Sequence, residues 1–533
     1  MNRAEIKRRQ IQLITFVLGL VNLWIFGRKI SDAGVAYLAA ALFSLSFVWA
    51  LTARQVPDAM GRILRARNAK GQYKNAAKMR KCIMIFQGIL GAVFAVALFA
   101  GAGLLADKVW MLPYSKSLIM VLAPVLLFRT VNAVLIGIFQ GEGNELPTAL
   151  SSLMRQVFIL VFGTLLAKSF GRYGVKVSAL FGQDAFTMMY GGLGVAAGIL
   201  IAEVLVTVFL LLIYRSVLKK SREKEAESMK AEDSFVGQVR ALYASMGLPM
   251  LCGLLELLPL WIGLVLSQKY LQGESAAESF GVYAGKYLVL GGIPLCLLAA
   301  LLLPVAVKAA ERSRSGDHRV ARNAFQICTK SLMIHGLFFS AYFTVMAGQL
   351  AGLFGKTNIE TLKDMLVWGS FGILFGLMAV IALHVLKVLG KNTMVLACLA
   401  GYNVVFILAV SLWFKGGNAG ILSLVYAGVI AVCVLAVGAL SLVFGYLRCR
   451  TDLLRMVALP GACACVAGLL CFLLGKVLTP HLGNGVTLLV TFVLALGAYW
   501  MGNLLLRVFG RQELNIVPGG KILAAIGQLL RVF

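Results

Sequence analysis

The sequence predicts an all-α polytopic membrane protein. About 14 transmembrane helices are expected, in two six-helix lobes related by a pseudo-twofold along the membrane normal, plus two extra helices. Three observations predict this. The 533 residues are 60% hydrophobic and only 14% charged, with a mean hydropathy of +0.88. One soluble core cannot bury that much apolar surface. Apolar blocks of about 20 residues, the length a helix needs to cross a bilayer, recur from end to end. A stretch early in the chain also returns later at a near-constant offset.

The blocks place spans near 11–27, 30–53, 82–106, 117–139, 147–168, 190–214 and 241–267. The rest fall near 280–307, 323–352, 365–386, 392–414, 419–446, 456–476 and 484–506. Helices suit such blocks because a helix satisfies its own backbone hydrogen bonds in lipid, and the sequence shows no run of short alternating strands. No small-residue cleavage site follows the first block, and Arg28 and Lys29 come directly after it, so it reads as a retained span.

Basic residues gather at 62–81, 214–230 and 307–323. With the N-terminus inside, these stretches fall on the cytoplasmic side, and an even number of spans returns the C-terminus there. The 50 Lys and Arg against 22 Asp and Glu therefore read as a topology signal and an attraction to anionic lipid headgroups. The basic stretches adjoin spans and carry no reading motif, which excludes nucleic acid as a partner. The ten cysteines are scattered, the four histidines lie far apart, and Cys463 and Cys465 have one residue between them rather than the two of a redox or metal pair. No metal or cofactor is expected.

The repeat compares residues 32–76 with 279–324. Gly34 and Val35 recur as Gly281 and Val282, Pro57 as Pro304, and Arg65 and Arg67 as Arg312 and Arg314, all at one offset. Both segments then pass a glycine to reach Asn-Ala, at 75–76 and 323–324, and "VFIL" occurs at 157–160 and again at 405–408. The offset covers six helices, an even number, so the copies run parallel. The expected organisation is an N-lobe at 1–218, a cytoplasmic linker at 219–240, a C-lobe at 241–446 and two further spans within 447–510. An interfacial helix is expected in 511–533, where Ile522, Ile526, Leu529, Leu530 and Phe533 share one face. Chains built from two such halves hold substrate between them and rock one half against the other. Pro249, Pro259, Gly291, Gly292, Pro294 and Pro304 gather where that motion bends helices, or they serve the fold geometry alone.

Charge inside the spans is rare and costs about 2.5–3.5 kcal/mol per residue at mid-membrane, so each such residue faces protein or water. The cases are Arg129, Arg155, Glu203, Glu256 and Lys286, with Lys330 nearer a span end and able to snorkel. Arg129 and Arg155 lie in neighbouring spans and Lys286 begins the eighth. Together they fit a cationic, water-filled cavity whose guanidinium groups grip phosphate oxygens. The structural alternative is an ion pair, such as Arg155 with Glu203, or an arginine tied to backbone carbonyls. Arg129, Lys286, Arg155, Glu256, Arg28 and Asp32 are the candidate substrate-binding residues.

The stretches "QVPDAMGRILRARNAKGQYKNAAK" and "LLFRTVNAVLIGIFQGEGNELPTALSSLMRQ" resemble the multidrug/oligosaccharidyl-lipid/polysaccharide (MOP) exporter superfamily. Within it they are similar to the polysaccharide-transporter branch that includes sporulation-type and lipid II flippases. The tail "ELNIVPGGKILAAIGQLL" is similar to that branch as well. The resemblance implies a non-enzymatic flippase that moves an undecaprenyl-pyrophosphate-linked saccharide across the bacterial cytoplasmic membrane by alternating access. The cargo would be a polysaccharide repeat unit or a peptidoglycan precursor. Glycosyltransferases of the same pathway are its expected partners, and a monomer its expected state. Lipid II flippases carry arginines in the first span; here 11–27 is uncharged, and Arg28 and Lys29 stand just beyond it.

Two other classes compete. A cation-coupled multidrug antiporter of the same superfamily needs buried carboxylates, for which Glu256, Glu203 and Asp32 are candidates. Bases outnumber acids within the spans, however, and repel a cationic drug. An integral-membrane glycosyltransferase or polymerase needs an acidic catalytic cluster. No Asp-x-Asp occurs, and the longest expected outer loop, about 169–189, has Asp184 as its only acid.

Overall fold

The computed structural model describes residues 3–226, 233–271, 274–354, 357–417, 419–449, 452, 454–514 and 520–529. All regular structure among them is helical. The chain begins with α1 (Arg3–Lys29), α2 (Asp32–Thr52), α3 (Val56–Ala69), α4 (Tyr73–Ala100) and the single turn α5 (Ala102–Leu104), which runs into a wide π-helical turn, Leu105–Val109. Next come α6 (Ser115–Leu122), α7 (Val125–Gly141), α8 (Leu146–Phe158), a second π turn (Ile159–Gly163), α9 (Thr164–Phe181), α10 (Ala185–Ala226), α11 (Phe235–Leu271) and α12 (Glu274–Val282). A third π turn, Tyr283–Tyr287, precedes α13 (Leu288–Arg314), α14 (His318–Val345), α15 (Ala347–Gly352), α16 (Ile359–Gly369) and α17 (Phe371–Val388). The remainder is α18 (Asn392–Lys415), α19 (Leu422–Leu447), a π turn at Leu454–Ala458, α20 (Leu459–Leu505), α21 (Arg511–Leu514) and α22 (Gly520–Leu529).

Among the described residues, twelve helical stretches are long and apolar enough to cross a membrane, against the 14 expected. The last two expected spans form one stretch, Leu454–Leu505, interrupted at Gly483, whose φ of 70° and ψ of 169° break the helix. The ninth expected span is α14, where Lys330 and His335 dilute the apolar run. The chain is a multi-pass membrane protein. The loop expected at 169–189 is mostly helix: α9 runs to Phe181, α10 starts at Ala185, and Gly182 makes the turn with φ 64°. Helices likewise enter the expected 219–240 linker from both ends; residues 227–232 lie outside the described residues.

The chain divides into two compact units, Met1–Gly285 and Lys286–Phe533. In the first, small residues allow helices to approach closely, as they do where lipid supplies no hydrophobic drive. Gly137 and Gly141, one turn apart on α7, face Pro57, Met60 and Leu64 of α3, so the "FQG" run of the sequence is a packing surface. Gly194 and Gly198 of α10 meet the backbone of Leu166 and Gly163. The repeated Gly-Val pair also takes on physical meaning: α2 and α12 pack together, with Gly281 against the Asp32 backbone and Gly285 against Val35. The first unit also holds α11, which the repeat assigned to the second lobe. Two arginines bind it there: Arg54 donates to the Gly253 carbonyl at 2.7 Å, and Arg67 donates to the Gln238 side chain and pairs with Asp233, just before the helix, at 2.7 Å.

The glycines of the two repeated segments behave alike locally. Gly71 follows α3 with φ 69° and Gly316 follows α13 with φ 94°, each in the left-handed conformation that ends helices. In the second unit, Phe338 and Tyr342 of α14 pack with Phe492 and Tyr499 of α20. The Tyr342 and Tyr499 hydroxyls donate to the carbonyls of Leu488 and Ile334, each at 2.7 Å. Lys330 does not snorkel as expected. It is buried, lies over the Phe509 ring at 5.0 Å and pairs with Glu513 at 2.9 Å, because α21 brings a carboxylate to it. α22 occupies part of the segment expected to be an interfacial helix; 530–533, with Leu530 and Phe533, lie outside the described residues.

Candidate functional site

α7 presents Arg129 and Asn132 three residues apart, on one helical face. α8 supplies Arg155 and α10 supplies Glu203, which is fully buried. Arg129 Nε donates to Glu203 Oε1 at 2.9 Å, and Asn132 Nδ2 donates to Glu203 Oε2 at 3.3 Å. Arg155 Nε lies 3.0 Å from Glu203 Oε1, near enough for an ion pair but out of hydrogen-bonding line, and that N–H is buried without an acceptor. The Arg129 guanidinium also rests over the Trp49 ring, 5.8 Å from its centroid.

One carboxylate thus answers two guanidinium groups, leaving a surplus of one positive charge. Among the described residues, no protein acceptor takes the terminal nitrogens of Arg129 or Arg155, and the two side chains stay 23% and 21% exposed. Two planar forks with unspent donors and a net positive charge form a receptor for an anion with several oxygens. Beside Arg155, Asn22 of α1 donates to both the carbonyl and Oε1 of Gln156, each at 2.9 Å, which docks α1 on α8.

The sequence candidates divide. Arg129 and Arg155 come together on Glu203, so the ion pair that the sequence suggested for Arg155 with Glu203 includes Arg129 as well. Glu256 is taken by Arg54 at 2.8 Å, with both side chains roughly a quarter exposed. Arg28 is exposed and lies over Trp24 at 5.1 Å. Asp32 is buried in the first turn of α2, where Ser31 accepts from the Gly34 N–H as the cap. Lys286 is buried at the start of the second unit. Sequence reasoning missed Arg54, Asn132, Trp49 and Asn22. Asn132 was legible from its spacing to Arg129; Trp49 and Asn22 come from helices distant in sequence. Among the described residues, no group of three His, Cys, Asp or Glu is placed to hold a metal ion.

Solved transporters share this architecture. The lipid II flippase MurJ in an inward closed conformation superposes with a TM-score of 0.65 at 12% identity, covering 94% of this chain and 99% of that one. The chain has the fold of the MOP superfamily. A multidrug resistance MATE transporter of that superfamily, inward-facing, matches with a TM-score of 0.63 at 15% identity over 84% of this chain and 99% of that one. In sequence, stage V sporulation protein B of Bacillus subtilis is 26% identical over 169 residues. That match spans 31% of this chain and about a third, 32%, of the relative. No protein-family model matches the sequence. The fold expected from the two quoted motifs is therefore present. At these identities the MurJ and MATE likenesses speak to fold alone.

Proposed function

We propose that this MOP-fold protein is a flippase for an undecaprenyl-pyrophosphate-linked saccharide. It would carry a polysaccharide repeat unit or peptidoglycan precursor across the bacterial cytoplasmic membrane by alternating access, with both termini cytoplasmic. The observation that carries this reading is the pair Arg129 and Arg155, whose terminal N–H groups have no protein acceptor among the described residues beside one shared carboxylate. A pyrophosphate offers the oxygens those donors lack, and paired charge-assisted bonds to it are strong where water is scarce. MurJ, a lipid II flippase, has this fold, and a cargo of that class suits the arginine pair.

A cation-coupled drug antiporter is less well supported. Its coupling step needs a buried carboxylate free to exchange a cation. Glu203 is held by two arginines and Glu256 by Arg54.

The test is flipping of fluorescent undecaprenyl-pyrophosphate saccharide by purified protein in proteoliposomes. Arg129→Ala and Arg155→Ala are expected to lose most of the transport at unchanged insertion. Wild-type flipping by the double variant overturns the assignment; proton-driven export of a cationic dye without lipid flipping favours the antiporter.

A further inference from the structure

The carboxylate of Glu203 is used asymmetrically. A carboxylate beside a guanidinium often takes two parallel N–H bonds, one to each oxygen. Here Glu203, fully buried, meets both arginines through a single oxygen: Oε1 accepts from Arg129 Nε at 2.9 Å and lies 3.0 Å from Arg155 Nε. The other oxygen, Oε2, accepts from Asn132 Nδ2 at 3.3 Å. The reverse orientation of that amide would set its oxygen against a carboxylate, so the nitrogen is the group that faces Glu203.

Two orphaned groups show that this arrangement is costly. The Arg155 Nε–H is buried without an acceptor among the described residues, although a carboxylate lies beside it. Asn132 is itself only 2% exposed, and its Oδ1 is buried with no partner among the described residues. An unpaired buried acceptor costs about 1–3 kcal/mol. A leucine of similar size would carry no such cost, so position 132 is used for its donor. The Trp49 ring meanwhile covers the face of the Arg129 guanidinium, 5.8 Å from the ring centroid, and takes none of its N–H groups.

We infer that Asn132 is a positioning residue that keeps the phosphate receptor open. With Oε2 held, Glu203 does not close both oxygens on one guanidinium, and the terminal N–H groups of Arg129 and Arg155 stay unspent. Both Nε atoms lie within 3.0 Å of Oε1, so the two forks stand side by side, one for each phosphate of a diphosphate. Without the Asn132 donor the carboxylate turns, closes on one fork as a bidentate pair and takes the place of a phosphate. The inference rests on the reading of the arginine pair as a pyrophosphate site, and it adds a selectivity: the open pair favours a diphosphate lipid over a monophosphate one.

Native mass spectrometry of the delipidated full-length protein tests it, with undecaprenyl pyrophosphate and undecaprenyl phosphate as competing probes. The wild type should prefer the pyrophosphate, and Arg129→Ala combined with Arg155→Ala should abolish that preference. Asn132→Leu should reduce it roughly tenfold, the worth of one hydrogen bond to a charged group, without lowering the melting temperature. The ratio of bound lipids is read on folded protein alone, so a merely structural asparagine would lower the melting temperature and leave the ratio unmoved. Wild-type preference in Asn132→Leu overturns the inference and leaves the pyrophosphate site standing. A preference indifferent to both arginines overturns the site and the inference with it. If Asn132→Leu fails to fold, Asn132→Ala removes the same donor without the bulk, and the same ratio decides.

Discussion

Glu203 Oε1 accepts from Arg129 Nε at 2.9 Å while Arg155 Nε stands 3.0 Å from the same oxygen. Stability should therefore respond unequally. Removing one arginine leaves a neutral pair. Removing Glu203 leaves two guanidinium groups facing each other in a largely buried site, and breaking a buried ion pair costs about 3–5 kcal/mol. Glu203→Ala is expected to lower the melting temperature of the purified protein well below that of either Arg129→Ala or Arg155→Ala. Equal losses in all three would refute the shared-carboxylate account.

Arg129→Lys separates charge from shape. The arginine holds Glu203 with Nε and keeps its terminal nitrogens for a ligand. One ammonium presents no such fork. Lysine should keep insertion and most of the stability while flipping at a reduced rate, between wild type and Arg129→Ala. A lysine variant that transports at the wild-type rate would show that position 129 supplies charge alone.

Arg54 ties the turn between α2 and α3 to α11 through Glu256 and the Gly253 carbonyl. Each of the two side chains stays more than a quarter exposed, so neither is locked in place by the pair. Its effect should appear in transport more than in unfolding. Arg54→Glu is expected to slow flipping severalfold, and the exchange Arg54→Glu with Glu256→Arg to recover part of it. No recovery in the exchanged protein would leave the Gly253 carbonyl bond as the contact that matters.

Much of the fold was legible in the sequence, because hydrocarbon demands apolar helices of set length and the blocks of this chain meet that demand. Boundaries were less legible. Nothing local to 169–181 says that α9 persists beyond its apolar block, and Gly483 divides two spans without leaving a loop between them. At the site, cost alone singled out Arg129 and Glu203, since each is expensive in lipid. Their meeting was not legible, because α7 and α10 lie some 70 residues apart and the spacing of the two residues, 74, carries no helical register. Arg54 was overlooked for the same reason: it stands outside the span limits, and only the fold brings Glu256 to it.

The glycines of the repeat and of α13 should respond in opposite senses to alanine. A Cβ at Gly281 collides with the Asp32 backbone, which cannot turn aside as a flexible side chain does. Gly281→Ala is expected to cost about 1–3 kcal/mol, as overpacking does, or to abolish accumulation of folded protein. Gly291 and Gly292, inside α13, have nothing within 4 Å of an added Cβ. Each costs its helix about 0.5–1 kcal/mol relative to alanine. Gly291→Ala and Gly292→Ala should therefore raise the melting temperature. With Pro294 two positions on, α13 has weak backbone hydrogen bonding where bending is cheapest. If transport uses that bend, the stabilised double variant should flip lipid more slowly than wild type, with the loss growing as temperature falls. Higher stability with undiminished flipping would show that these glycines shape the helix without serving as a hinge.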